Sequence, residues 1–469
     1  MRRLFLAVLL LALAFAVPAF SQQRWERTYG GTNYDYGFSV QQTSDGGYIV
    51  VGSTESFGAG SYDVYLIKTN SSGDTLWTRT YGGTNTDEGN SVQQTLDGGY
   101  IIAGTTASFG AGNYDVYLIK TNSSGDTLWT KTYGGPRYDY GNSVQQTSDG
   151  GYIVAGWTQS FGAGSNDVWL IKTNALGNTL WTRTYGGTSS DEGYSVRQTQ
   201  DGGYIVAGLT ASFGVGSYDV WLIKTNASGD TLWTRNNGGS SDDRGYSVQQ
   251  TSDSGYIITG FTRSFGDSVQ VYLIKTNILG DTLWTRTYGG TAWDEGWSVQ
   301  QTSDGGYIVV GGTESFGAGS YDVYLIKTNA SGDTLWTRTY GGASWDEGWS
   351  VQQASDGGYI IAGTTASFGA GVIDVYLIKT DANGNVGVGE ETEVRGKRLE
   401  VRITAKLNPF TSFATLPGHE AERFSLYDVS GRKVGVFRGD RVGEGLGPGV
   451  YFLSSSDSQA KPLRIVKVR

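Results

Sequence analysis

Residues 39–83 read SVQQTSDGGYIVVGSTESFGAGSYDVYLIKTNSSGDTLWTRTYGG, and this unit recurs with small changes until residue 385. Seven copies are present, and their Asp-Gly-Gly-Tyr turn recurs every 52 residues, with one interval of 51. The turns begin at Asp45, Asp97, Asp149, Asp201, Asp253, Asp304 and Asp356, and the fifth reads Asp-Ser-Gly-Tyr. A fixed period of this length, with several strand-like runs in each unit, is typical of a β-propeller in which each unit forms one blade.

Each unit predicts four antiparallel strands. Residues 39–43 form a short β-rich run, and the Asp-Gly-Gly turn that follows needs glycines that tolerate positive φ. Residues 48–54 and 63–69 are dense in Val, Ile, Tyr and Thr, which suits strands covered on both faces. Residues 75–81 alternate apolar and polar side chains, as expected for an outer strand with one face in solvent.

The two ends of the repeat region complement each other. Residues 24–31 (RWERTYGG) match the last strand of a unit, yet they precede the first complete unit. After residue 385 the chain reads VGVG where that strand is expected. Pairing the early strand with the last unit would close the ring and remove an exposed sheet edge. We therefore predict an all-β fold, a seven-bladed β-propeller closed by its N-terminal strand.

One tryptophan recurs in the outer strand of every unit, and we predict that it packs between adjacent blades. These residues are Trp25, Trp77, Trp129, Trp181, Trp233, Trp284 and Trp336. By buried area, each such side chain contributes roughly 1.5–3 kcal/mol or more. Together they are expected to dominate the stability of the ring.

The string YLIKTNSSGDTLWTRTYGG (65–83) resembles the tryptophan-docking repeat of quinoprotein-like propellers, in which an Asp/Asn-Gly turn accompanies a Trp and a closing Gly. Quinoprotein dehydrogenases commonly use eight blades, a bound quinone and calcium. This chain has seven units and no cysteine, so no cofactor is expected from the resemblance. The string TSDGGYIV (43–50) resembles the Asp-box of sialidases, a hairpin-turn device that does not itself perform catalysis.

The chain begins with a segment typical of a secretory signal peptide. Arg2 and Arg3 precede an apolar stretch up to Val17, and small residues follow. The stretch is too short for a retained membrane span, so none is expected after cleavage. Without cysteine, neither a disulfide framework nor a lipid-modified cysteine is available. The predicted parts are a signal peptide (1–21), the propeller (22–385), a charged linker (386–398) and a C-terminal domain (399–469).

The C-terminal domain carries an Asn-Pro-Phe triplet, FSLYDVSGR, GVYF and a terminal RIVKVR, in that order. Together they resemble the type A sorting domain of the type IX secretion system. The matching residues are Asn408, Pro409, Phe410, Tyr427, Asp428, Gly431, Arg432, Gly449 and Tyr451. The resemblance implies a small β-sandwich, the type IX export machinery and a sortase-like protease as partners, and a protein secreted or held on the outer surface of a Gram-negative-type bacterium. The alternative is an unrelated small β-domain.

Charge argues against nucleic acid as a partner. The chain has 35 Lys and Arg against 45 Asp and Glu, and residues 22–386 alone carry 19 against 35. An acidic propeller repels phosphate backbones and anionic membranes. We expect a monomer that binds neither.

The inventory of chemically active side chains is small. The single histidine, His419, lies in a loop of the C-terminal domain, so zinc sites and Ser-His-Asp triads are unavailable to the propeller. One aspartate recurs at an equivalent position in every unit, and a structural turn role is favoured for these residues over catalysis, which needs two carboxylates of different pKa. They are Asp35, Asp87, Asp139, Asp191, Asp243, Asp294 and Asp346. Residues 381–385 (DANGN) resemble the start of a calcium loop, but residue 392 is Thr where an acidic ligand is needed. No metal or catalytic residue is therefore assigned, and calcium stays an alternative.

The loops between blades differ from copy to copy and place aromatic residues beside carboxylates. The candidate binding residues are Tyr34, Tyr36, Tyr138, Tyr140, Trp293, Trp297, Trp345 and Trp349. Such side chains can stack on sugar rings or anchor a protein, or they can simply pack over the blade tops. Blade five departs most from the repeat, with Asn236-Asn237, Ser254 and the sequence 266–270 (GDSVQ), by specialisation or by drift.

Two functions follow from these observations. The first is a secreted or cell-surface propeller that binds glycans or proteins and is not an enzyme. The alternative is a secreted polysaccharide hydrolase that uses two carboxylates about 5 to 10 Å apart in a cleft.

Overall fold

The computed structural model describes residues 24–386, 423–428, 432–438, 441–442, 444–455 and 463–467. They divide into two compact units, with the boundary between residues 389 and 390. The predicted signal peptide and all but the first residue of the predicted linker lie outside the described residues. No described segment forms a helix long and apolar enough to cross a membrane.

The first unit is a β-propeller of seven four-stranded antiparallel blades. An early strand, β1 (Trp25–Tyr29), precedes blade one, which contains β2 (Asp35–Gln42), β3 (Tyr48–Thr54), β4 (Asp63–Thr69) and β5 (Thr75–Tyr81). Blades two to six repeat this order. Blade two contains β6 (Asp87–Gln94), β7 (Tyr100–Thr106), β8 (Asp115–Thr121) and β9 (Thr127–Tyr133), and blade three contains β10 (Asp139–Gln146), β11 (Tyr152–Thr158), β12 (Asp167–Thr173) and β13 (Thr179–Tyr185). Blade four contains β14 (Asp191–Gln198), β15 (Tyr204–Thr210), β16 (Asp219–Thr225) and β17 (Thr231–Asn237), blade five contains β18 (Asp243–Gln250), β19 (Tyr256–Thr262), β20 (Gln270–Thr276) and β21 (Thr282–Tyr288), and blade six contains β22 (Asp294–Gln301), β23 (Tyr307–Thr313), β24 (Asp322–Thr328) and β25 (Thr334–Tyr340). Blade seven contains β26 (Asp346–Gln353), β27 (Tyr359–Thr365) and β28 (Asp374–Lys379).

Three of the four strands of blade one span the residues that the repeat predicts. Strands β3 and β4 are buried along their whole length, whereas β5 is partly exposed, as its alternating pattern indicates. The innermost strand differs, because β2 begins at Asp35 and not at residue 39. Its pairing with β3 shifts between Gly37 and Ser39, and this irregularity interrupts the side-chain alternation by which a strand is recognised in sequence.

The repeated Asp-Gly-Gly turn ties the first two strands of a blade to the third. In blade three, Asp149 accepts hydrogen bonds from the Thr147 hydroxyl at 2.5 Å and from the Gly151 amide at 3.0 Å, and pairs with buried Lys172 at 2.9 Å. Burial raises the pKa of Asp149, but the bonds from Thr147, Lys172 and Gly151 outweigh it and lower that pKa to about 2. An equivalent ion pair occurs in every blade.

Each repeated tryptophan lies against the next blade. Trp77 contacts Tyr100 with ring centroids 5.9 Å apart, and a Cβ atom on Gly125 would lie 2.8 Å from its ring. Gly125 also has a φ of 78°, so both its conformation and the indole require glycine. The same ring contact joins Trp25 to Tyr48, Trp129 to Tyr152, Trp181 to Tyr204, Trp233 to Tyr256, Trp284 to Tyr307 and Trp336 to Tyr359.

Strand β1 is the fourth strand of blade seven. It pairs antiparallel with β28, so that Trp25 is opposite Lys379 and Tyr29 is opposite Val375. Blades seven and one also contact near the axis, where the Gln42 amide donates to the Gln352 side-chain oxygen at 2.6 Å. The chain thus brings its first described strand to the last described strand of the propeller.

The second unit contributes one four-stranded antiparallel sheet among its described residues. Its strands are β29 (Arg423–Asp428), β30 (Lys433–Arg438), β31 (Gly449–Ser455) and β32 (Leu463–Lys467), in the order β30-β29-β31-β32. Phe424, Leu426 and Val442 are buried.

Candidate functional site

One end of the propeller carries the loops between blades, whose sequences vary from copy to copy. The innermost strand of each blade begins there and the second strand ends there, as the pairing of Asp35 with Thr54 shows in blade one. We call this end the loop face. It bears the loops between blades and the Ser-Phe-Gly loops that join the second and third strands.

The repeated aspartates hold these loops in place. Asp35 is fully buried, and its carboxylate accepts hydrogen bonds from the Thr54 hydroxyl, from the Gly31 amide at 2.8 Å and from the Ser56 hydroxyl at 2.7 Å. A second aspartate binds the tip of the Ser-Phe-Gly loop in every blade except blade five, where Gln270 replaces it; Asp63, for example, accepts from the Ala59 amide at 2.7 Å. Both aspartates therefore have structural partners, as expected for a turn role.

The third residue after the repeated aspartate forms a ring around the mouth of the central channel, because it stands at the same place on each innermost strand. The seven residues are Phe38, Asn90, Asn142, Tyr194, Tyr246, Trp297 and Trp349. Five are aromatic, and they belong to blades one, four, five, six and seven. Only the two asparagines, on blades two and three, interrupt the aromatic series.

The aromatic members contact one another in sequence around the mouth. Tyr246 stacks on Trp297 with ring centroids 4.1 Å apart, and Trp297 contacts Trp349 at 4.5 Å. Tyr194 meets Tyr246 edge-on at 5.1 Å, and Trp349 meets Phe38 edge-on at 5.6 Å. We call these five residues the aromatic arc. Tyr36 extends it, since its ring stacks on Phe38 at 5.7 Å.

Two glutamates, the buried Glu347 and the partly buried Glu295, orient the indoles of Trp297 and Trp293. The Trp297 Nε1 donates to Glu347 Oε1 at 2.7 Å, and Glu347 is only 4% exposed. Glu295 Oε1 accepts from Trp293 Nε1 at 2.8 Å and from the Tyr321 hydroxyl at 2.9 Å. Burial, and then the charge of Glu295, raises the pKa of Glu347 to about 8; burial also raises the pKa of Glu295.

Blade five contributes cations to the same region. Arg244 pairs with Asp242 at 3.0 Å, and its guanidinium lies over the Phe261 ring at 5.5 Å. Arg263 lies over Trp293 at 4.7 Å from the ring centroid. Tyr246, Phe261 and Val269 form a buried cluster against which Trp293 and Trp297 pack. The most divergent blade is therefore in contact with the arc.

The predicted binding residues fall into several places. Trp297 and Trp349 belong to the arc, Tyr36 extends it, and Trp293 lies beside it. Tyr138 and Tyr140 form a separate group on blade three, where both stack on Tyr114. Tyr34 and Tyr138 are 37% and 38% exposed, and Trp345 is partly buried.

Sequence analysis missed Phe38, Tyr194, Tyr246 and the pair Glu295 and Glu347. It considered only the aspartates repeated around the ring as candidate carboxylates and overlooked the position after each repeated aspartate. That position holds Tyr36, Glu88, Tyr140, Glu192, Arg244, Glu295 and Glu347. Comparing the seven units column by column is the signal that would have revealed this asymmetry.

The remaining predicted residues are placed as follows. In the C-terminal sheet, Asp428 accepts from the Arg432 amide at 3.1 Å and from its Nε at 3.2 Å, and the Tyr451 hydroxyl donates to the Gly447 carbonyl at 2.9 Å. Tyr427 lies in β29 and Gly449 begins β31. The predicted residues Asn408, Pro409, Phe410, Gly431 and His419 lie outside the described residues.

The DANGN turn uses its first residue internally. Asp381 accepts from the amides of Asn383 at 2.8 Å and Asn385 at 2.9 Å, and pairs with Arg24 at 3.4 Å. Within the part of the chain that the structure describes, no three His, Cys, Asp or Glu residues are grouped so that they could hold a metal ion.

Comparisons with known proteins find similarity at the level of structure. No protein-family model and no curated protein matches the chain. PorZ of Porphyromonas gingivalis, described as an essential bacterial surface component of the type-IX secretion system, is 12% identical with a TM-score of 0.43, over 94% of this chain and 60% of PorZ. Sqt1 from Chaetomium thermophilum is 13% identical with a TM-score of 0.45, over 96% of this chain and 100% of Sqt1. The Pan2 WD40 domain of Neurospora crassa is 11% identical with a TM-score of 0.45, over 77% of this chain and 97% of the Pan2 domain.

Proposed function

We propose that this chain is a secreted or cell-surface propeller that binds saccharide chains at the aromatic arc and does not cleave them. The observation that carries the proposal is the continuous contact of Tyr194, Tyr246, Trp297, Trp349 and Phe38 around the channel mouth. Five aromatic residues share one structural position, whereas the second and third strands of the repeat are nearly constant from copy to copy.

A saccharide suits this surface because a pyranose ring has an apolar face and polar edges. The partly exposed rings of the arc, on Phe38, Tyr194, Trp297 and Trp349, offer flat apolar area at little cost in side-chain entropy, and the buried Tyr246 supports them. Two amides, Asn90 and Asn142, stand at the other side of the mouth, where each donates to a backbone carbonyl, at 3.0 Å and 2.9 Å. Their side-chain oxygens are the acceptors that hydroxyl groups would use.

The positions of the carboxylates favour binding over hydrolysis. A hydrolase needs two carboxyl groups that reach the glycosidic bond from opposite sides. Glu347 and Glu295 instead accept hydrogen bonds from Trp297 and Trp293, and Glu347 is buried. Their role in this proposal is to orient the indoles of the arc.

The proposal is tested with the mature full-length chain on a glycan array, followed by calorimetric titration of the best saccharide. We expect Trp297→Ala and Trp349→Ala to weaken binding at least about fivefold, since a central aromatic contact contributes more than about 1 kcal/mol. Trp157→Ala, on blade three, is the matched control and should bind as the unaltered chain does.

Three outcomes would contradict the proposal. They are the absence of saccharide binding, equal binding by all three variants, and a protein ligand that requires the same indoles. Release of reducing ends by the unaltered chain but not by Glu347→Gln would favour the hydrolase alternative.

We further propose that β1 closes the ring by its pairing with β28, and that residues 399–469 fold as a sorting β-sandwich for type IX export. The turn between Asp428 and Arg432 and the sheet β30-β29-β31-β32 support the second part. Under this proposal the partners are the export machinery and a sortase-like protease. A chain truncated after residue 398 should then remain inside the outer membrane of a type IX host; its normal appearance outside the cell would contradict the sorting role.

A further inference from the structure

The central channel contains one charged residue among amides. The cavity on the axis has a volume of about 220 Å³, and all seven innermost strands line it, six of them with Val and Gln side chains and, in five cases, a Ser. Six blades place a glutamine at the same level, namely Gln41, Gln93, Gln145, Gln249, Gln300 and Gln352. Blade four places Arg197 there, and none of the residues that line this cavity is acidic.

The orientation of the six glutamine amides is determined by the backbone. Each Oε1 accepts a hydrogen bond from the backbone N–H of a glutamine on the next blade, at 2.6 Å in all six cases. A backbone N–H can be bonded only by the carbonyl oxygen of a carboxamide, so the oxygen is assigned without ambiguity. The NH₂ group of each glutamine is consequently the part left to the channel, and it can only donate hydrogen bonds.

Arg197 changes this pattern at one place. Its guanidinium has five N–H donors, and within residues 24–386 its recorded hydrogen bond is from Nη1 to the Val196 carbonyl at 3.3 Å. In the other six cases a glutamine oxygen accepts from the backbone N–H of the last residue of the next innermost strand, as Gln145 does from Gln198. The corresponding backbone N–H next to Arg197 belongs to Gln250, and an arginine side chain has no acceptor for it. The Arg197 guanidinium and the Gln250 backbone N–H are therefore both donors at a place where the repeat would supply a glutamine oxygen as acceptor.

We propose that this girdle of six amides and Arg197 binds one small oxyanion in the channel. A planar guanidinium forms paired, charge-assisted hydrogen bonds with phosphate, sulfate or carboxylate oxygens. Amide N–H groups around it supply further donors, and no lining carboxylate opposes the anion. The volume is several times the roughly 30 Å³ that one water occupies in the liquid, so a partly hydrated anion fits.

This site is distinct from the aromatic arc. Arg197 and Tyr194 belong to the same strand, β14, three residues apart, which corresponds to about 10 Å along a strand. The inference therefore does not depend on the saccharide proposal, and either can fail alone.

The test is calorimetric titration of the mature full-length chain with sodium phosphate, sodium sulfate or sodium acetate at low chloride. Arg197→Gln is the informative variant, because it installs the residue that the six other blades carry and should fold normally. Arg183→Gln removes one positive charge from an outer strand, where Arg183 pairs with Asp230 at 3.6 Å, and serves as the control for net charge.

We expect one oxyanion per chain in the unaltered protein and in Arg183→Gln, and at least about tenfold weaker binding in Arg197→Gln. Phosphate and sulfate binding without acetate would identify a tetrahedral oxyanion, and acetate binding would identify a carboxylate. Binding of none of the three anions, or equal affinity in Arg197→Gln, would overturn the proposal. Thermal unfolding gives a second readout, since the bound anion should raise the Tm of the unaltered chain and leave that of Arg197→Gln unchanged.

Discussion

Replacing Glu347 with glutamine should make the stability of this protein less dependent on pH. The carboxyl group of Glu347 is buried and accepts a hydrogen bond from the Trp297 indole at 2.7 Å. Glutamine keeps a carbonyl oxygen for that indole and removes the ionisation. The substitution therefore isolates the cost of placing a negative charge under the aromatic arc.

The size of the effect follows from the pKa. Burial, and then the charge of Glu295, raises the pKa of Glu347 from 4.5 to about 8. Between these two values the native state binds more protons than the unfolded chain. The stabilisation is fully present below pH 4.5 and is lost as the pH rises through 8. At 1.36 kcal/mol per pKa unit, the loss is on the order of 5 kcal/mol.

The measurement is urea unfolding followed by far-ultraviolet circular dichroism at pH 5 and at pH 9. The unaltered protein should unfold at a lower urea concentration at pH 9, and Glu347→Gln should lose much less stability between the two values. Glu314→Gln, at an exposed position, is the control and should follow the unaltered protein. An unchanged pH dependence in Glu347→Gln, or a variant less stable than the unaltered protein at pH 9, would refute the reasoning.

Two further predictions concern the ring itself. Trp129→Ala should lower the free energy of unfolding by about 2–4 kcal/mol, because the indole packs on Tyr152 and over Gly177. Leu128→Ala, at an exposed neighbouring position, is the control and should change the free energy of unfolding by less than about 0.5 kcal/mol. Equal urea midpoints for the two variants would contradict this prediction. Deletion of residues 22–30 removes β1 and leaves the edge of β28 unpaired, so light scattering should detect concentration-dependent association that the full chain does not show. A deletion variant that stays monomeric and equally stable would argue against ring closure by β1.

The sequence was most informative where one turn defines one strand end. Gly46 and Gly73 have φ values of 81°, so the turns that bound β3 and β5 can be read from glycine positions alone. The start of β2 could not be read in this way, because the irregularity between Gly37 and Ser39 breaks the alternation. The seven-fold period indicated the blade number for a similar reason, since every copy repeats the same local rules.

The candidate site depended on the tertiary structure. Strand propensity and turn chemistry act between near neighbours in the chain, and they are nearly identical in all seven units. Which column of the repeat reaches the channel mouth is decided only when the blades pack around a common axis. That packing brings Trp349 of blade seven against Phe38 of blade one, and sets Arg197 among amides from the other blades. The sequence by itself thus determined the repeated blade and its strand order. The ring geometry decided which of the residues that depart from the repeat come into contact.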